Sequence, residues 1–208
     1  MVVGACATTA PPPPPVLAYD AVKACTTGPD LALAEVFDPA SKSGKRMMRS
    51  RTIDMMQSMT GAACMSLPDG RDVPYAIFRI PEGLTGRVLS AGSTIDSNSM
   101  FAADVSVLDL DGDEMRRFDL ADYTRTGNRH AVQFSPRKGE TFVLVRANPD
   151  LVGEGMDTSE TGASDVYVSN GFGGGGMNTV GQTQAFSRSF SYDGMAGLRV
   201  TFPKQDRE

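Results

Sequence analysis

The chain has no tryptophan, one histidine and three cysteines in 208 residues, and each scarcity removes a class of function. A structural zinc site draws its ligands from cysteine and histidine at close spacing. Here Cys6, Cys25, Cys64 and His130 are far apart and no C-x-x-C pair exists, so zinc and dithiol redox motifs are excluded. Aromatic residues make up only 7%. Flat rings for stacking against sugars therefore reduce to Tyr123, Phe172, Tyr167 and Tyr192, and the last two read equally well as core. No apolar run reaches the roughly 18–20 residues of a membrane-spanning helix. The balance of 25 acidic to 20 basic residues gives no electrostatic reason to bind nucleic acid or an anionic lipid surface.

Enzyme signatures fail on spacing or context. No G-x-S-x-G elbow is present, and His130 lies in a polar Gly127-Asn128-Arg129-His130 stretch that reads as surface. Gly171, Gly173 and Gly176 satisfy G-x-G-x-x-G, with Asp193 beyond them. No helical period follows, so a flexible loop is expected there rather than a dinucleotide fold. Asp109, Asp111, Asp113 and Glu114 bring acids together, but Gly112 is fourth in the run and Leu120 stands where a calcium loop needs its closing glutamate. An Asp-Gly hairpin turn is the better reading, with Asp109, Asp111 and Asp113 kept as candidates for a surface calcium site. A paired-carboxylate glycosidase centre leaves no linear signature, and no residue pattern favours one. No cofactor is expected.

What is present begins with the N-terminus. Val3-Gly4-Ala5-Cys6 has the form of a bacterial lipobox, small residues before a cysteine that becomes lipidated, although no basic segment and no full apolar segment precede it. Five prolines, Pro11 to Pro15, follow at the spacing of a stiff extended tether. We expect Cys6 to be the lipidation site, the membrane to be a partner through that lipid, and the signal to be the remnant of a longer one. The alternative is a cytosolic protein with a chance Val-Gly-Ala-Cys. With Cys6 acylated, Cys25 and Cys64 are left as an even pair in an oxidising compartment, forming a disulfide or else packing as two buried thiols.

Residues 1–18 thus read as lipobox remnant and disordered proline-rich tether, 19–70 as an N-terminal extension packed on the main domain, and 71–204 as that domain. In the extension, Leu31 to Phe37 reads as a strand or helical turn. Pro39 to Gly44 reads as a break. Lys45, Arg46, Arg49 and Arg51 read as a solvated strand or loop face. Met55, Met56, Met59 and Met65 read as gap-filling core. The main domain is dense in short strands. Val73 to Ile80 is apolar on both faces, as a central strand is, and stops at Pro81. Thr85 to Ala91 follows. Ala103 to Leu108 and Glu114 to Phe118 flank the Asp-Gly turn as a hairpin, Ala121 to Arg129 reads as polar connection, and Val132 and Phe134 mark another strand. Glu140 to Ala147 has the strongest alternation. Residues 148–184 lose apolar density, with one short strand at Asp165 to Ser169. Ala185 to Tyr192 and Met195 to Phe202 read as a closing hairpin. Seven or eight short strands with little helix predict an all-β fold, an antiparallel β-sandwich of jelly-roll-like form.

Ala76 to Pro81 (AIFRIP), Phe101 to Asp109 (FAADVSVLD), Gly139 to Arg146 (GETFVLVR), Asn148 to Leu151 (NPDL) and Phe190 to Val200 (FSYDGMAGLRV) resemble the maltose-operon periplasmic protein family. The resemblance covers roughly residues 70–202. It departs at Ser191-Tyr192-Asp193-Gly194, where the family has a histidine-bearing turn, and the N-terminal third matches weakly. It implies an exported β-sandwich protein, accessory to carbohydrate transport, with no catalytic residues to carry over. The expectation is therefore a non-enzymatic lipoprotein in the periplasm, anchored to the outer membrane and facing a polysaccharide or an envelope protein. The other reading is a calcium-dependent carbohydrate- or cell-wall-binding module, or a hydrolase on the same sandwich.

Overall fold

The computed structural model describes residues 14–50, 52–83, 87–96, 99–169 and 175–201. Among them one α-helix, α1 (Lys42–Ser50), precedes thirteen strands: β1 (Thr52–Ser58), β2 (Cys64–Ser66), β3 (Asp72–Arg79), β4 (Leu89–Asp96), β5 (Ser99–Phe101), β6 (Ala103–Leu108), β7 (Glu114–Arg117), β8 (Tyr123–Thr126), β9 (Arg129–Phe134), β10 (Phe142–Ala147), β11 (Gly155–Ser169), β12 (Gly175–Ser191) and β13 (Met195–Thr201). They form an all-β sandwich. One sheet has five strands in the order β2-β3-β10-β6-β7. The other has eight: β1-β13-β4-β5-β12-β11, with β9 also pairing β4 and β8 pairing β9. All pairings are antiparallel except the three-residue match of β12 to β5.

Period-two alternation decides which face each residue takes. In the five-stranded sheet the cross-strand rows Ala76–Val145–Val105 and Phe78–Val143–Val107 are buried, and they alternate with Tyr75–Arg146–Asp104. In the larger sheet Ile53–Val200–Leu89–Phe134 and Met55–Leu198–Ala91–Val132 form the buried rows. These four rows belong to one continuous hydrophobic cluster drawn from both sheets. Met55, Met59 and Met65 are buried with it and fill core as expected, whereas Met56 is only half-buried and faces away from it. The alternate rows of the larger sheet, Asp54–Arg199–Ser90–Gln133 and Met56–Gly197–Gly92–Ala131, lie on its outer face.

Residues 52–66, placed above in the extension, contribute β1 to one sheet and β2 to the other, so the sandwich starts before residue 71. The basic cluster sits on a helix rather than a strand or loop, with Lys45 and Arg46 exposed, and Arg51 lies outside the described residues. Helical spacing keeps such side chains in water without needing a strand edge. Leu31–Leu33 is a 3-10 turn capped by the Asp30 carboxylate, which accepts from Ala32 N at 3.0 Å. Beyond it Glu35 bonds to the open edge of β3, its N–H donating to Ile77 O at 2.8 Å. Of the expected tether, residues 1–13 lie outside the description, but from Val16 the chain is docked: Tyr192 N donates to Val16 O at 3.0 Å, and Val16 N donates to Ser191 Oγ at 2.8 Å.

Three expectations for the C-terminal half change. The polar connection from Ala121 contains a 3-10 turn, Leu120–Asp122, and β8, because Tyr123 to Thr126 find a strand partner in β9. The apolar-poor stretch after residue 148 is mostly strand: β11 and β12 pair from Gly155↔Ser189 to Ser169↔Gly175, a ribbon held by backbone bonds that hydrophobic periodicity does not report. The expected closing hairpin does not form. β13 is inserted between β1 and β4, and β12 pairs with β11 and β5 instead. Of the glycine loop, residues 171–174 lie outside the description and Gly175 opens β12.

Candidate functional site

Most residues singled out from the sequence have structural work. Cys25 and Cys64 form a disulfide that ties the N-terminal segment to β2 across 39 positions. Beside it Thr26 N donates to Cys64 O at 3.1 Å and Ser66 N donates to Thr26 O at 2.8 Å. Asp109 is the cap of the β6–β7 turn: its Oδ1 accepts from Asp111 N at 3.0 Å and Asp113 N at 2.9 Å, while Gly112 takes the positive φ of 93° that the turn requires. Asp109 is thus used in the turn, and among the described residues no group of three or more Asp, Glu, Cys or His converges as a metal site would.

Tyr123 is not a free platform. Its ring stacks on His130 with centroids 5.2 Å apart, and its hydroxyl accepts from Val105 N at 2.9 Å. Burial pushes its phenol well above the ordinary value. His130, read above as surface, is 8% exposed on β9, held between the Tyr123 and Phe190 rings, and burial lowers its pKa. Its neighbours in sequence are polar, but strand alternation turns its side chain inward. Tyr192 packs at the rim of the core with Tyr19, ring centroids 5.6 Å apart. Phe172 and Cys6 lie outside the described residues.

Among the described residues, hollows are found in three places, and charge separates them. One, about 480 Å³, runs beneath the N-terminal segment between Tyr19, Leu33, Gln57 and Tyr75, and Cys64 forms part of its wall. A second, about 260 Å³, is rimmed by Arg71, Arg117, Arg146, Asp69, Asp104 and Asp150. Its three arginines and three aspartates cancel in sum. Asp104 Oδ1 accepts from Arg117 Nε at 2.9 Å and its Oδ2 from Arg146 Nε at 3.0 Å, while Arg71 lies 2.6 Å from both Asp69 and Asp150. No charge is left over for a ligand.

The third, about 220 Å³, lies on the outer face of the larger sheet over β13, β4, β9 and β8. Ser90, Thr124, Thr126, Gln133 and Thr201 line it with hydroxyls and an amide, and Arg129 and Arg199 supply two guanidinium groups. Both arginines lean on one carboxylate. Arg129 Nη1 donates to Asp54 Oδ1 at 3.0 Å, and Arg199 donates through Nε at 3.1 Å and through Nη2 to Asp54 Oδ2. The trio carries a net charge of +1 and no other ionisable group lines the hollow.

Two glycines make this reach possible. Arg129 is on β9 and Asp54 on β1, with β4 and β13 between them. The intervening row, Met56–Gly197–Gly92–Ala131, is small at three of four positions and forms a trough across the sheet. A Cβ on Gly197 would stand 3.3 Å from Arg129 Nη2 and 2.8 Å from Met55 O. At Gly92 it would meet Ala131 Cα at 2.7 Å, so both positions need the bare backbone. Arg129 lies in the trough at 4% exposure, its Nη1 also 3.3 Å from Met56 Sδ. Its Nε and Nη2 are buried and have no acceptor among the described residues. Each such N–H costs about 1–3 kcal/mol when left unmatched, and burial, with Arg199 close by, lowers the Arg129 pKa.

Sequence reading passed over this site. Arg129 was only part of a polar stretch, and Asp54 and Arg199 are 145 positions apart. The one available signal was glycine within strands, at Gly92 and Gly197, which marks close approach of something to the backbone. No protein-family model, curated protein or solved structure matches the chain.

Proposed function

We propose that the protein is a non-enzymatic binding protein of the cell envelope, presenting the outer face of its larger sheet to carbohydrate. The observation that carries this reading is the hollow over β8, β9, β4 and β13, whose hydroxyl, amide and guanidinium lining matches the hydrogen-bonding groups of a glycan. The Cys25–Cys64 disulfide supports an oxidising compartment. The lipobox form of Val3-Gly4-Ala5-Cys6 and the resemblance to the maltose-operon periplasmic family support export, anchoring at the outer membrane and a role accessory to carbohydrate transport.

The test is thermal unfolding of the chain with maltodextrins, peptidoglycan fragments and calcium. A bound glycan at a hundredfold excess over Kd stabilises by about 2.7 kcal/mol, a rise of several degrees. A flat response to every glycan would sink the carbohydrate reading. A response that requires calcium would favour the calcium-dependent module instead.

A further inference from the structure

The hollow has a charge to satisfy, and this narrows its ligand. Two arginines converge on it while Asp54 supplies their one carboxylate, and Arg129, nine-tenths buried, has two nitrogens, Nε and Nη2, without an acceptor among the described residues. The lining groups that could answer, Ser90, Thr124, Thr126, Gln133 and Thr201, are neutral. We infer that the hollow is an oxyanion site, taking a carboxylate or phosphate group carried on a saccharide, with Arg199 as its accessible donor and the buried Arg129 guanidinium supplying positive charge beneath it.

The geometry is suited to this. Guanidinium groups present parallel N–H pairs that match the two oxygens of a carboxylate or phosphate. Arg199, with its side chain 37% exposed, stands where an incoming anion meets it first, and Arg129 forms the fixed floor in the glycine trough. The hydroxyls of Thr124, Thr126 and Ser90 rim the same space and serve the neutral remainder of the ring. A free hexose would satisfy those hydroxyls and leave the floor unanswered. The hollow at Asp104, by contrast, sets Arg71, Arg117 and Arg146 against Asp69, Asp104 and Asp150, so it has no net charge and would repel no less than it attracts.

This inference rests on the hollow being the glycan face, so the experiment separates the two. Isothermal titration of the full chain uses four probes at low salt: inorganic phosphate, glucuronate, a glucuronate-containing oligosaccharide and maltotriose. We expect the acidic oligosaccharide to bind most tightly, the two free anions to compete with it, and maltotriose to bind at least tenfold more weakly. Arg199→Gln should weaken the acidic ligand at least tenfold, with Arg199→Lys between it and wild type, and raising the salt should weaken wild type more than Arg199→Gln. Maltotriose binding equally to wild type and Arg199→Gln, with no competition by phosphate or glucuronate, overturns the inference and leaves the carbohydrate reading standing. Phosphate and glucuronate binding that Arg199→Gln abolishes, with no response to either oligosaccharide, supports the anion site and removes the glycan. Silence from all four probes overturns both.

Discussion

Asp54→Asn tests the physical core of the site, because it removes a charge while keeping the shape. In the native chain Asp54 Oδ1 holds Arg129 at 3.0 Å, and Oδ2 holds Arg199 through two N–H groups. The two partners are worth different amounts. Arg199 is more than one-third exposed, and such pairs contribute roughly 0–1 kcal/mol. Arg129 is buried, and breaking a buried pair by removing one partner costs about 3–5 kcal/mol, since the other charge is left uncompensated. Asp54 itself keeps 28% side-chain exposure, which lets water answer part of the loss and places the expected value near the lower end, about 3 kcal/mol. With no tryptophan to report, urea unfolding is followed by far-ultraviolet circular dichroism. At a slope of about 2 kcal/mol per molar urea, the midpoint falls by about 1.5 M. Removing both charges, Asp54→Asn with Arg129→Met, should recover most of the loss, a coupling of about 2 kcal/mol. A midpoint shift below about 0.3 M for Asp54→Asn, or a double variant no better than the single, would show that Arg129 does not depend on Asp54.

Other perturbations follow from the same framework. Gly197→Ala drives a Cβ to 2.8 Å from Met55 O and against Met56 Sδ, and should cost about 1–3 kcal/mol in the same urea assay, whereas Gly70→Ala, with open space around it, should show only the penalty of its positive φ. Reducing the Cys25–Cys64 disulfide, or replacing it by Cys25→Ser with Cys64→Ser, releases a loop of 39 positions and should cost about 4 kcal/mol, read as the difference between oxidised and reduced unfolding curves. His130 should make stability depend on pH. Burial lowers its folded pKa below the ordinary 6.5, so its contribution is complete above about 6.5 and falls away as pH drops through that value toward the folded pKa. The slope between pH 7 and 5 should flatten in His130→Leu, and an unchanged slope would mean the imidazole titrates freely.

The sandwich was legible wherever one face of a strand is apolar. Phe142 to Ala147 alternates strongly enough to declare itself, and Val73 to Ile80 shows both faces apolar because β3 lies between β2 and β10 with six successive residues buried. Legibility stopped where strand pairing, not burial, holds the chain. The β11–β12 ribbon pairs residue by residue through serine, threonine and glycine, so no hydrophobic period marks it. Order along the chain also misled: β12 and β13 are neighbours in sequence, joined by a short turn at Asp193-Gly194, yet they take opposite sides of β4 and β5. A hairpin is the local solution. Here β13 is instead drawn between β1 and β4, where Leu198 and Val200 are fully buried.

The site was illegible for a different reason, and the trough explains it. A motif is legible when its residues lie close in sequence, whereas this hollow is lined by Ser90, Thr124, Arg129 and Arg199 from four strands of one sheet, with Asp54 on a fifth holding the two arginines. Their common face follows from register alone, since Asp54, Arg199, Ser90 and Gln133 are consecutive cross-strand partners. Arg129 belongs to another row and joins them only because Gly92 and Gly197 remove two side chains from its path. Glycine inside a strand weakens it, so two of them at directly paired positions in adjacent central strands mark a place where the sheet trades local strength for space. The space is filled by a buried guanidinium that shares its one carboxylate, Asp54, with Arg199, so one positive charge of the three groups stays uncompensated. That imbalance is what the proposed anion would answer.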